Sequence, residues 1–550
     1  MTQEFAAIHS LDVRQALLER REIALLDVRE EDPHAHGHPL FAANLPASRI
    51  EADAYARLPR RDVPIVVLDD DGGDEGDSEA RTAARRLAGL GYTDVRLLAG
   101  GLAGWQKAGG EVFIDVNVPS KAFGEFVEAN QHTPSLAAAE IKALLDAGAN
   151  AVVVDTRRYD EYRNMSIPTG ISVPGAELVL RVPELAPDPD TLVVVNCAGR
   201  TRSIIGTQSL INAGLPNRVV ALRNGTMGWT LAGLELDSGQ SRRFPPVGEA
   251  GRRRSARTAR AVADRAGVRR ADRASWREWA EQHGRTTYFF DVRTPEEYAA
   301  GHLPGFAPAA GGQLVQETEM FAPVRGARIV LADDDGARAN MTASWLAQMD
   351  WEVYVLDGLK ADDFAEAGPW LAPLPPPPAS RRVSPRELHA WLQSGGSDGP
   401  DAAETVVVDV GGSADYAREH VQGAWFALRS RLAEALARIP RARRYVLTCG
   451  DGLLAAFAAP ELAARVEGEV YVLDGGTRGW REAGLPLEAG LARPASPPID
   501  RYQRPYEGVN APAAAMQAYL DWELGLVEQL RRDGTHHFRV LPAAAHQRFE

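Results

Sequence analysis

A unit that recurs four times along the 550 residues constrains this chain most. The copies follow one another at roughly 110–140 residues, a domain period and not a solenoid period. Each copy opens with a short helical pattern. A β-branched strand then ends at Asp: ALLDVR to Arg29, VVVDTR to Arg157, YFFDVR to Arg293 and VVVDV to Val410. A second apolar strand follows, at 64–68, 192–196, 328–332 and 444–448. A helix comes next, then a third strand at 95–101, 219–225, 353–358 and 470–476. Three copies close on Gly-x-x-Gly-Trp, at Trp105, Trp229 and Trp480. Continuous Val/Ile/Leu strands alternating with helices predict an α/β fold of parallel sheets flanked by helices.

The chemistry concentrates in unit two, in VVVNCAGRTRS from Val193 to Ser203. The strand stops at Cys197, and a short loop leads into the helical pattern IIGTQSLINAG. A helix N-terminus favours a thiolate through its dipole and free N–H groups, and Arg200 and Arg202 add positive charge. No His stands beside the Cys to act as a base. The pattern predicts a nucleophile for an anionic sulfur- or phosphorus-centred substrate, with the sulfur at the bottom of a shallow, positive pocket. An isolated Cys is more often a small buried hydrophobe; a sulfur turned into the core would favour that reading.

The net charge of −14 argues against nucleic acid as the main partner. The two cysteines cannot make a disulfide framework, and their spacing suits no zinc site. The start MTQEFAAIHSLDVRQ has no basic stretch before an apolar core, so it does not read as a signal peptide. No apolar run approaches the roughly 20 residues of a membrane span. These features predict a cytoplasmic chain with no membrane partner, where thiols stay reduced.

The Asp-x-Arg at a strand end, the Gly-His-Leu-Pro-Gly of 301–305, Cys197 at the second strand end and the Gly-x-x-Gly-Trp together resemble the rhodanese family of sulfurtransferases. The resemblance implies four tandem rhodanese-like domains, at 5–115, 131–237, 270–370 and 382–490; the residues at 500–550 read separately as a C-terminal helical tail. It implies a loop of backbone N–H groups around a catalytic Cys197, with Gly199, Arg200, Thr201, Arg202 and Ser203 binding substrate. Many family loops carry Gly three residues after the Cys, where this chain has Arg200. The implied function moves a sulfane sulfur from a small anionic donor such as thiosulfate, or from a persulfide, to cyanide, a thiol or a protein acceptor. It needs no metal or organic cofactor. Units one and three carry Asp69 and Asp333 at the Cys position and read as silent. Cys449 of unit four lies in CGDGLLA, which has no Arg.

Two other functions compete. Degenerate copies suit a non-catalytic scaffold or sensor. A Cys-dependent phosphatase on a related fold needs Arg six residues after the Cys, where Ser203 stands here.

The remaining candidates have structural readings. Asp155 and Arg157 are expected to pair internally, and Trp229 to fill the core. His302 is read as a turn residue, and His34, His36 and His38 lack a fourth metal ligand. Lys121 is a candidate to reach the active mouth. Ser275 with Glu278 and Ser384 with Glu387 read as capping boxes. Boundaries are placed at 116–130, 238–270 and 372–383, and the twelve Arg of 242–277 read as a solvated basic linker. After Pro512, Met516, Tyr519, Leu520, Leu524 and Val527 are predicted to share the docked face of an amphipathic helix.

Overall fold

The second strand of each unit is its most enclosed, and the sheet is built outward from it. The computed structural model describes residues 4–72, 78–394, 403–507 and 511–542. In unit two the order across the sheet is Ser135–Leu136, Val219–Leu222, Leu192–Asn196, Ala151–Asp155 and Ile171–Ser172, all parallel. Units three and four repeat this order, around Arg328–Ala332 and Ala442–Thr448. Unit one does so around Ile65–Leu68 and adds a strand from elsewhere. Central strands of Val, Ile and Leu are buried on both faces, as parallel sheets under helices require. The register sets Asp155 beside Asn196, one residue before Cys197.

Each unit opens with a strand of two or three residues ahead of its helix, not with the helix. Such strands are too short to show a period of two. Residues 116–130 do not form an open linker: most lie in the helix Val118–Gln131, with Phe123, Glu125 and Val127 buried. The basic stretch is likewise more than a solvated linker. It contains the helix Glu249–Arg265, which buries Gly251, Ser255, Ala259, Val262 and Ala263 between units two and three. Asp272, not Ser275, caps the helix Arg273–Ala280 by accepting from the Ser275 N–H at 2.8 Å. Ser384 does accept from the Glu387 N–H, at 3.3 Å.

The C-terminal helix Ala513–Asp533 packs along Val118–Gln131. It buries Met516, Tyr519, Leu520, Glu523, Leu526 and Leu530. Leu524 is 60% exposed, against expectation, because the buried stripe passes through the polar Glu523 instead. No helix of the described residues is long and apolar enough to cross a membrane. The acidic residues 73–77 of unit one lie outside the described residues.

Candidate active site

Cys197 follows the central strand Leu192–Asn196, and the helix Thr201–Asn212 starts four residues later. The turn is held from the third strand's end. The Thr226 N–H donates to the Cys197 carbonyl at 2.9 Å, and the Met227 N–H to the Ala198 carbonyl at 3.1 Å. Gly225 has φ +56°, and a Cβ there would collide with the Cys197 carbonyl oxygen. The first Gly of the Gly-x-x-Gly-Trp therefore seats the cysteine loop, while Trp229 fills the core as expected. Gly101 and Gly476 press in the same way on Asp69 and Cys449.

Below the loop, Arg157 and Asp155 pair in full burial at 2.8 Å, and the Asn196 amide donates to Asp155 at 2.8 Å. Asp27 with Arg29 and Asp291 with Arg293 repeat the pair. Unit four has Gly411 in place of the Arg. Burial pushes the unpaired Asp409 up to about 7.

Cys197 is 1% exposed, so the expected shallow pocket is closed. The cover comes from the C-terminal helix: Met516, Tyr519 and Leu520 pack with Met227 over the loop. A Cβ on Gly199 would meet Met227 Cε at 2.9 Å and Tyr519 Cε1 at 3.6 Å. The sulfur nevertheless meets a polar partner in Ser203. It lies 3.4 Å from Ser203 Oγ, which donates to the Arg200 carbonyl at 2.8 Å. Burial pushes the thiol up, while the Arg202 charge and the Ser203 hydroxyl and N–H draw it back down.

Both arginines are occupied, which their sequence positions do not reveal. Arg200 pairs with Glu125 at 2.7 Å, with Glu128, and with the Asn224 amide oxygen at 3.2 Å. Arg202 holds Glu161 through two bonds of 2.8 and 2.9 Å. Burial opposes the charge of Glu161, but Arg202 overcomes it and keeps the carboxylate at about 2. Thr201 Oγ1 lies 3.5 Å from Glu523 Oε1. A cavity of about 310 Å³ adjoins the loop, lined by Met165, Thr226, Met227, Leu236, Tyr506 and Met516.

The other units fill the same position differently. Asp69 accepts from the Gly72 N–H at 2.7 Å and the Ala80 N–H at 3.0 Å. Asp333 accepts from Gly336 at 3.0 Å and Ala339 at 2.8 Å. Units one and three thus each place a carboxylate of their own among the loop's N–H donors. Beside that loop, unit three keeps an open cleft of about 530 Å³, lined by Arg293, Glu297, Asp334 and Lys360. Cys449 packs in apolar surroundings with Leu447, Ala455 and Val472, and burial pushes its thiol up to about 11.

Lys121 does not open onto the site. It pairs with Asp115 at 2.5 Å beneath the rings of Tyr506, Tyr519 and Trp522. His34 stacks on His38 and bonds Asp27 at 2.9 Å, and His36 is exposed. His302 stacks on Tyr298 and contacts its carbonyl at 2.9 Å. No group of three His, Cys, Asp or Glu among the described residues could hold a metal ion.

The chain matches the rhodanese-like domain over residues 10–108, 137–232, 275–358 and 384–483. It belongs to the rhodanese family. It is also similar, at 62% identity and a TM-score of 0.94, to the crystal structure of a thiosulfate sulfurtransferase from Pseudomonas aeruginosa. That likeness covers 98% of this chain and 100% of the other. An HTH-type transcriptional regulator of Mycobacterium tuberculosis is 35% identical over 101 residues, 18% of this chain and 43% of the regulator. The uncharacterised protein YibN of Escherichia coli is 29% identical over 90 residues, 16% of this chain and 59% of YibN. The chain spans about half the length of these curated relatives.

Proposed function

We propose that this rhodanese is a sulfurtransferase whose unit two moves a sulfane sulfur through a Cys197 persulfide. The observation that carries the proposal is the Cys197 sulfur at a helix N-terminus, facing Ser203 and the field of Arg202. The whole-length likeness to a thiosulfate sulfurtransferase supports it.

In the first half-reaction the Cys197 thiolate attacks the outer sulfur of thiosulfate, and sulfite leaves with the bonding pair. The persulfide anion is stabilised by the loop N–H groups, the helix N-terminus and Ser203. Cyanide or a thiol then removes the outer sulfur and regenerates the thiolate. Arg200 and Arg202 bind an anionic donor by exchanging their carboxylate partners for it, with Gly199 and Thr201 lining the approach. This exchange and a transient movement of the C-terminal helix admit the donor, since Cys197 and the arginines are covered in the resting arrangement; the helix returns over the loop before the sulfur is passed on. The cavity beside Met227 and Tyr506 offers the approach. The reaction calls for no metal or organic cofactor, and a cytoplasmic, reducing setting suits a free thiol.

The closed site gives the scaffold reading one specific support: a covered sulfur and paired arginines also suit a silent module. Loading with thiosulfate separates the two. The enzyme takes up one sulfur on Cys197 and loses it to cyanide; a scaffold takes up none.

A further inference from the structure

We infer that Glu523 of the C-terminal helix carries the proton of the thiol chemistry at Cys197, so that this helix forms part of the reaction site. The inference rests on the sulfur-transfer reading above. Glu523 interrupts an otherwise apolar run of Met516, Tyr519, Leu520, Leu526 and Leu530. Its side chain is buried at 1% exposure. Oε1 accepts from the Tyr519 hydroxyl at 3.1 Å and lies 3.5 Å from Thr201 Oγ1. Oε2 is buried with no hydrogen-bond partner among the described residues. It lies 3.4 Å from where a Cβ on Gly199 would stand, directly over the cysteine loop. A buried carboxyl oxygen without a donor is costly and rare, and this one lies against Gly199, two residues after Cys197, close enough for its charge to act on the thiol.

The charged and titratable groups facing Glu523 come from three elements. Helix Val118–Gln131 brings Glu125 and Lys121, the loop brings Arg200 and Cys197, and its own helix brings Tyr519. Tyr506 and Asp115 act next to Tyr519, and Glu128 next to Arg200. Burial, reinforced by Glu125, pushes Glu523 up to about 8, against the pull of Lys121 and Arg200. A carboxyl in that range exchanges its proton near neutral pH, as general acid–base catalysis needs.

The step balances without an oxidant. The Glu523 carboxylate takes the proton of an acceptor thiol. The thiolate forms a bond to the outer sulfur of the Cys197 persulfide, and the old S–S bond breaks with its electron pair on Cys197. Glu523 then passes the proton to the departing product persulfide, and Cys197 is left as the thiolate. Sulfite, attacking as its dianion to re-form thiosulfate, surrenders no proton, so it does not need this carboxyl.

The test loads the full-length protein with thiosulfate, confirms the persulfide by intact mass, and follows single-turnover discharge by 2-mercaptoethanol and by sulfite at mildly alkaline pH. Glu523→Gln should lower the ratio of thiol to sulfite discharge on the order of 10²-fold and flatten the pH dependence of the thiol reaction. Glu523→Asp should recover part of both. Tyr519→Phe removes a donor that stabilises the carboxylate, so it should move the pH limb of thiol discharge upward. An unchanged ratio in Glu523→Gln, or an unchanged limb in Tyr519→Phe, overturns the inference. Normal loading with either result leaves sulfur transfer standing; a wild-type protein that takes up no sulfur overturns both readings.

Discussion

Arg202 holds Glu161 through two hydrogen bonds while its charge opposes the burial of the Cys197 thiol. Arg202→Gln should therefore weaken use of thiosulfate more than use of an uncharged donor. The loss of a charge-assisted contact is on the order of 1.5–3 kcal/mol, roughly ten- to hundredfold in kcat/KM. Steady-state kinetics with the two donors checks this, and equal losses would mean that Arg202 only holds the loop. Asp409 supplies a pH test in unit four. Its folded value, about 7, lies above its ordinary 3.8. Between those values the native state keeps a proton that the unfolded chain has lost. Stability thus falls as pH rises through that window, and the full cost is present above it. Asp409→Asn removes the cost, so its stability gain over wild type in urea unfolding should be larger at about pH 8 than at about pH 5; a constant gain would contradict this. Cys197, Asp155 and Arg157 were legible because strand-end position and short spacing define them. Glu125, Glu161 and Glu523 were not, because they meet their partners across 75, 41 and 322 positions.

At the scale of elements, the C-terminal helix decides whether the site is open. It is anchored by Lys121 under three aromatic rings and by Leu520 against the Met227 cluster. Leu520→Asp puts a charge and a void into that contact. The docking should weaken by on the order of 2 kcal/mol, which raises the open population more than about tenfold. Alkylation of Cys197 by iodoacetamide, read by peptide mass, should accelerate by a similar factor; an unchanged rate would show that the helix does not control access. The repeated strands were legible from unbroken apolar runs ending at Asp. The opening strands were too short to register. Helices Val118–Gln131 and Glu249–Arg265 were hidden for a different reason: the polar and basic residues between units also carry a buried stripe.

Across the whole molecule, the units are tied by contacts that no single repeat contains. Val324–Arg325 of unit three pairs antiparallel with Ile23–Ala24, extending the sheet of unit one. Arg429 of unit four bonds Glu51 of unit one at 2.7 Å and Glu461 at 2.6 Å, at 4% exposure. Arg429→Ala leaves Arg86 alone between those two carboxylates, at 3.7 Å from Glu51 and 2.7 Å from Glu461, and should cost about 3 kcal/mol. Denaturant unfolding of the full chain measures this, and a loss within experimental error would mean that the joint is solvated. The repeat pattern announced four similar units but held no signal for such pairings, since a two-residue strand and a lone Arg look the same in sequence whether or not a neighbour meets them. Units one, three and four are therefore part of the framework around unit two, with Asp69 and Asp333 filling the loop position that Cys197 takes in unit two.

Intact-protein mass spectrometry after thiosulfate treatment, with peptide mapping, decides whether Cys197 carries the sulfur. One added sulfur is expected on Cys197, lost on adding cyanide, absent in Cys197→Ser and retained in Cys449→Ser. Sulfur carried on Cys449, or none taken up by the wild-type chain, would contradict that expectation.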